Sequence, residues 1–172
     1  MKKLISLVLA FVCVLAVAGC NTREPVNNAT VVPENFSFAL TWGCFGESSY
    51  DSQTGKLIKT ANATNPSDYV TYYQLTNEDK EYFYNLLVSL DANSYPTIYD
   101  PNNGMSKPSM SLILTVRING EVKAIIAEDI SLSSTSADEK GQRFLSVCDA
   151  ISNRLMATEE WKALPEYEHF YA

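Results

Sequence analysis

From residue 36 the chain alternates. Phe36, Phe38, Leu40 and Trp42 share one parity, and Ser37, Ala39, Thr41 and Gly43 share the other. A period of two over this length is the signature of a strand with one buried face. Ser52-Gln53-Thr54-Gly55 has turn chemistry and precedes Lys56-Leu57-Ile58, so the first strand is expected to return as a hairpin. Beyond a loop at Asn65-Pro66-Ser67, residues 68–75 are rich in Tyr, Val and Thr and read as the third strand of an antiparallel meander.

The period then changes. Thr76-Asn77-Glu78-Asp79 places a Thr cap three residues before an acid, close to a capping box, with Asp where Glu or Gln is preferred. Phe83, Leu86, Leu87 and Leu90 follow at helical spacing, and the helix is expected to end near Asp91. Two prolines and a glycine keep residues 95–104 out of regular structure. Met110, Leu112, Leu114 and Val116 alternate again up to Ile118-Asn119-Gly120-Glu121. A two-residue Asn119-Gly120 turn would set Val116 against Lys123. A three-residue loop with Gly120 left-handed would pair Val116 with Val122 and Leu114 with Ala124, bringing Arg117 opposite Glu121. The second register keeps apolar residues together and is the one expected. Ser136-Ala137-Asp138-Glu139 spells a capping box for a last long helix with Phe144, Cys148, Ile151 and Leu155 on one face, and Thr158 is placed to cap a short helix limited by Pro165. These elements predict an α+β fold: a five-stranded, mostly antiparallel sheet, a meander plus a hairpin, with two helices packed on one face.

The first 33 residues follow neither period. Lys2 and Lys3 precede an uncharged apolar run at residues 4–17, which as a helix covers about 21 Å and falls short of a bilayer core of about 30 Å. That is the layout of an export signal. Val17-Ala18-Gly19-Cys20 closes it and resembles the lipobox of bacterial lipoproteins. The resemblance implies cleavage between Gly19 and Cys20 and a diacylglyceryl group on the Cys20 sulfur; the alternative is an ordinary cleaved signal with Cys20 free or paired. The expected organisation is a signal at residues 1–19, a flexible tether at 20–33 and one α+β domain at 34–172.

Loss of residues 1–19 removes two lysines and no acid, taking the formal charge from −7 to −9. Such a domain is a poor ligand for nucleic acid, and the expected partners are the membrane, through lipid on Cys20, and an envelope protein, peptide or glycan. Cys44 and Cys148 remain as an even pair in an exported protein, both on core-facing parity. A disulfide between them would close a loop of about 100 residues and stabilise by about 4 to 5 kcal/mol; the alternative is two buried free thiols.

Candidate chemistry is sparse. His169 is the only histidine and lies between Glu168 and Phe170, and no Gly-x-Ser-x-Gly elbow is present. No catalytic residue, metal ligand set or cofactor is assigned. Asp100-Pro101-Asn102-Asn103-Gly104 lacks the spacing of an EF-hand loop. Glu159-Glu160 and Glu128-Asp129 would serve a polymer hydrolase only if folding set carboxylates across a cleft, which is the alternative to a non-catalytic binding module. The order strand, Cys44-Phe45-Gly46, Tyr50, turn, capped helix, hairpin and helix is similar to that of small uncharacterised envelope lipoproteins of gut Firmicutes over most of residues 35–165. That resemblance implies compartment and fold class and supplies no site residues. If helices cover one sheet face, Ser37, Ala39, Thr41, Ile113, Thr115 and Ile125 are left on the other as an expected partner surface, with Tyr73 at its margin; the alternative is that a loop such as residues 95–104 folds across this face and buries its isoleucines within the monomer.

Overall fold

The computed structural model describes residues 31–44, 48–60, 68–101, 104–105, 109–131 and 137–166. The signal, Cys20, most of the tether, the loop at 65–67 and His169 lie outside the described residues. Six strands form one sheet: β1 (Ser37–Cys44), β2 (Ser48–Asp51), β3 (Lys56–Thr60), β4 (Asp68–Tyr72), β5 (Met110–Ile118) and β6 (Glu121–Ile130). Their order is β4-β3-β2-β1-β5-β6, and every neighbouring pair is antiparallel. The helices are α1 (Asn77–Leu90), α2 (Glu139–Met156) and the single turn α3 (Glu159–Lys162).

The sheet therefore has one more strand than the five expected. Ser48–Asp51 is a strand in its own right, pairing Leu40 with Tyr50 on one side and Tyr50 with Leu57 on the other. Its four residues include two serines and an aspartate, too short and polar a run to show a period. The turn at 52–55 forms as expected, closed by Gly55 N–H donating to the Asp51 carbonyl at 2.8 Å. Gly55 has φ +72°, and a Cβ there would lie 2.9 Å from the Tyr73 carbonyl oxygen, so glycine is required on both counts.

Helix α1 starts as its sequence announces. Thr76 accepts from the Asp79 N–H, and the Asp79 carboxylate accepts from the Thr76 N–H, completing a capping box with Asp in the Glu position. The helix ends at Leu90, with Asp91 left-handed. The cap of α2 is not Ser136 but Asp138, whose Oδ1 accepts from Gly141 N–H at 2.7 Å. Thr158 caps α3 through Trp161 N–H.

The β5–β6 hairpin takes the register that the apolar pattern argued against. Asn119 and Gly120 have φ of 53° and 84°, the two positive values of a type I′ turn, and Ile118 faces Glu121, Arg117 faces Val122 and Val116 faces Lys123. Turn geometry outweighs the Val116–Lys123 mismatch because Lys123 is only half-buried, and a lysine stem can lie along apolar surface while its ammonium stays in water. A one-residue shift turns every side chain of β6 over. Ile125 accordingly faces Leu114 and is fully buried, so it does not belong to the expected partner surface. A bulge between Ala127 and Ile130, with Asp129 at φ 55°, returns Ile130 to the core.

One core gathers Phe38, Leu40 and Trp42 of β1, Leu112, Leu114 and Val116 of β5, Phe83, Leu87 and Leu90 of α1, and Phe144, Cys148, Ile151 and Leu155 of α2. Rings of Phe38 and Phe83 lie 4.9 Å apart, and those of Trp42 and Trp161 5.6 Å apart.

Candidate functional site

The most elaborate polar cluster lies where α1 begins. Asp79 is buried, and its Oδ2 accepts from the Tyr73 hydroxyl at 2.5 Å, the Thr76 hydroxyl at 2.7 Å and the Thr76 N–H at 3.1 Å. Arg154, from α2, donates Nε to Asp79 Oδ1 at 2.7 Å and Nη2 to Glu78 at 3.2 Å, and its guanidinium lies 4.6 Å from the Tyr82 ring centre. Burial alone would raise the Asp79 pKa, but the hydrogen bonds from Tyr73, Thr76 and Arg154 outweigh it and hold the carboxyl down at about 2. Tyr73 is pushed up to about 12, first by burial and then by its bond to Asp79. Arg154 is raised above its ordinary value chiefly by the bond to Asp79. A carboxylate this acidic, with its lone pairs taken, is a poor base at neutral pH, and Tyr73 keeps its proton there. The cluster braces the end of the sheet to two helices. Tyr73, expected at the margin of a partner surface, is instead part of this brace, and Tyr50 joins it by donating to the Tyr73 carbonyl at 3.0 Å.

Other tyrosines also have structural work. Tyr95 and Tyr99 stand 5.9 and 5.5 Å from the Phe144 ring. Their segment does not fold across the sheet face. It runs along the outer edge of β6, where Tyr99 N–H donates to the Ile126 carbonyl at 2.8 Å and Ile126 N–H to the Thr97 carbonyl at 2.7 Å, covering an otherwise open strand edge.

Cys44 and Cys148 are both free. Cys148 is fully buried on α2, which pushes its thiol pKa up, and Cys44 sets its thiol against Met110 Sδ across the β1–β5 pair. Neither is in a setting that activates a thiolate. Among the candidate carboxylates, Glu159 pairs with Lys162 at 2.9 Å on the surface of α3, and Glu128 and Asp129 are exposed at the β6 bulge. Among the described residues no three His, Cys, Asp or Glu side chains are grouped to hold a metal ion.

The residues expected on a partner surface lie on one sheet face with one exception. Ser37, Ala39 and Thr41 lie directly opposite Arg117, Thr115 and Ile113, so five of the six residues share the face turned from the core. Ile126 stands where Ile125 was expected, paired with Ile113. The ladder continues the other way through Ser49, Ile58 and Val70, giving one row across all six strands: Val70, Ile58, Ser49, Thr41, Ile113, Ile126. All are half-buried except Val70, which is exposed. Ser49, Ile58 and Val70 escape sequence reasoning because the row is visible only once β2 is known to be a strand.

At one end of this face a cleft of about 770 Å³ opens between the N-terminal segment at 32–37, the β5–β6 turn and the start of α1. Arg117, Ser37 and Val122 line it, along with Gln53, Lys80 and Glu81. No family model matches the sequence, and no curated protein matches it.

Proposed function

We propose that this chain is an exported lipoprotein, anchored to a bacterial membrane by lipid on Cys20, and that it acts as a non-catalytic module that binds a polypeptide of the cell envelope. The observation carrying this is the run from Lys2 through the apolar residues 4–17 to Val17-Ala18-Gly19-Cys20, followed at once by a proline-containing polar stretch and then by β1. Two acyl chains suffice for stable anchoring. No helix of the described residues is long and apolar enough to cross a membrane.

In this proposal α1 and α2 cover the sheet face that carries Phe38, Leu40 and Trp42, and the opposite face is the binding surface. Aliphatic Ile58, Ile113 and Ile126 with small Ala39, Thr41 and Thr115 between them suit the side chains of a polypeptide laid flat, whereas a glycan favours aromatic platforms. The test is expression of the full-length chain in a lipoprotein-processing bacterium. The wild type should partition into detergent with an N-terminal peptide heavier by a diacylglyceryl group, and Cys20→Ser should lose both properties. An unmodified, water-soluble wild type would end the anchoring claim.

A further inference from the structure

Arg117 has no acceptor for its Nη1, which is shielded from solvent. The residue that sequence pattern offered as its partner is elsewhere: Glu121 opposes Ile118 and reaches Asn93 Nδ2 at 3.5 Å. Across the strands Arg117 faces Ser37 on β1 and Val122 on β6, neither of which carries a charge. A guanidinium with one nitrogen desolvated and unbonded carries an unmet desolvation cost. Arg117 lines the cleft, and that is the side from which an anion would approach its guanidinium.

The cleft also fixes what kind of anion fits. Its size is within the range of small-molecule and peptide sites, and its walls mix polar and apolar residues. Besides the cations Arg117 and Lys80 it has Glu34, Glu81 and Glu121, which repel a multiply charged anion such as phosphate more strongly than a single carboxylate and accept amide or ammonium N–H groups. Arg117 further belongs to the third row of the open face, next to Ala39-Thr115-Ala124 and two rows from Thr41-Ile113-Ile126. A carboxylate held at Arg117 would thus be followed, over about four residues of extended chain, by small and then aliphatic surface.

We infer that this cleft binds the C-terminal carboxylate of a polypeptide, with Arg117 as the carboxylate ligand and the adjoining sheet face as the bed for the preceding side chains. This deepens the proposed binding role and rests on it for the ligand class. It is independent of lipidation, so the Cys20→Ser experiment and the following one fail separately.

The test is titration of the full-length protein in detergent micelles with three probes: N-acetyl-Ala-Ala-Val as free acid, the same tripeptide as C-terminal amide, and inorganic phosphate. Binding is followed by the Arg117 Nε–H resonance and the Gly120 and Ser37 amides. The free acid should shift all three and bind at least tenfold more tightly than the amide or phosphate. Arg117→Gln should abolish that preference and Arg117→Lys should restore part of it, with unchanged unfolding midpoints showing that both variants fold. Equal binding of acid and amide, tighter binding of phosphate, binding unaffected by Arg117→Gln, or no binding by the wild type would each overturn the assignment.

Discussion

Two half-buried arginines, Arg154 on α2 and Arg117 on β5, have opposite surroundings. Arg154 meets Asp79, Glu78 and the face of Tyr82. Arg117 stands directly opposite uncharged Ser37 on β1 and Val122 on β6 and leaves a nitrogen unbonded. A saturated network fixes elements in place, since each group is held by others and none is left to receive a ligand. An unsaturated cation adds nothing to the fold by charge pairing, and in the proposed reading it is the group left to receive a ligand. The contrast separates a structural brace from a candidate binding group.

The largest expected effect is on the brace. Asp79→Ala leaves Arg154 facing Glu78 alone and strips acceptors from Tyr73 and Thr76, and it should destabilise by about 3 kcal/mol in urea unfolding. Arg117→Met should lie between neutral and about 1 kcal/mol stabilising, because no internal bond is lost. Comparable losses for both variants would erase the distinction.

Acid titration sharpens the same contrast. The Asp79 pKa is held at about 2 in the folded chain, below its ordinary value of 3.8. Its contribution is therefore present above about pH 4 and is lost as pH falls through about 2, amounting to about 2 kcal/mol for a side chain this buried. The stability difference between wild type and Asp79→Asn should shrink over that window. Arg117→Met should leave the acid profile of the wild type in place.

How much of this was legible beforehand depends on whether a local period carried it. The buried parity of β1, the stripe Phe83-Leu87-Leu90 on α1 and the face Phe144-Cys148-Ile151-Leu155 on α2 follow from spacing alone. The hairpin register did not, because Asn119-Gly120 turn geometry and the apolar pattern disagreed and the long stem of Lys123 let the turn prevail. The brace was half visible: Thr76 and Asp79 are neighbours in a capping box, but Arg154 arrives from 75 residues away, which no local pattern encodes. Five residues of the expected partner surface were legible through β1 and β5. Ile125 was misplaced by the single-residue register error, and the same error supplied Arg117 with a partner in Glu121 that it does not have. The cleft was thus hidden by the very mispairing that the structure corrects.

The smallest effect comes from giving Arg117 the internal partner it lacks. Val122 lies directly across from Arg117, lines the same cleft and is two-thirds exposed, so it can be replaced without opening the core. Val122→Glu places a carboxylate within cross-strand reach of the guanidinium. Opposite charges at such positions contribute about 0.2 to 1 kcal/mol, and loss of β-branching on an edge strand offsets part of that, so a net gain of about 0.5 kcal/mol is expected in chemical unfolding. The consequence for binding is larger than that for stability, because the new carboxylate occupies the site that a peptide carboxylate would take. Titration with the free-acid tripeptide should weaken about tenfold in Val122→Glu, while Val122→Gln, similar in shape but without the charge, should bind like the wild type. If Glu and Gln at this position weaken binding equally, the cleft is sensitive to bulk rather than to charge, and Arg117 would then be a desolvated arginine with no anion to receive.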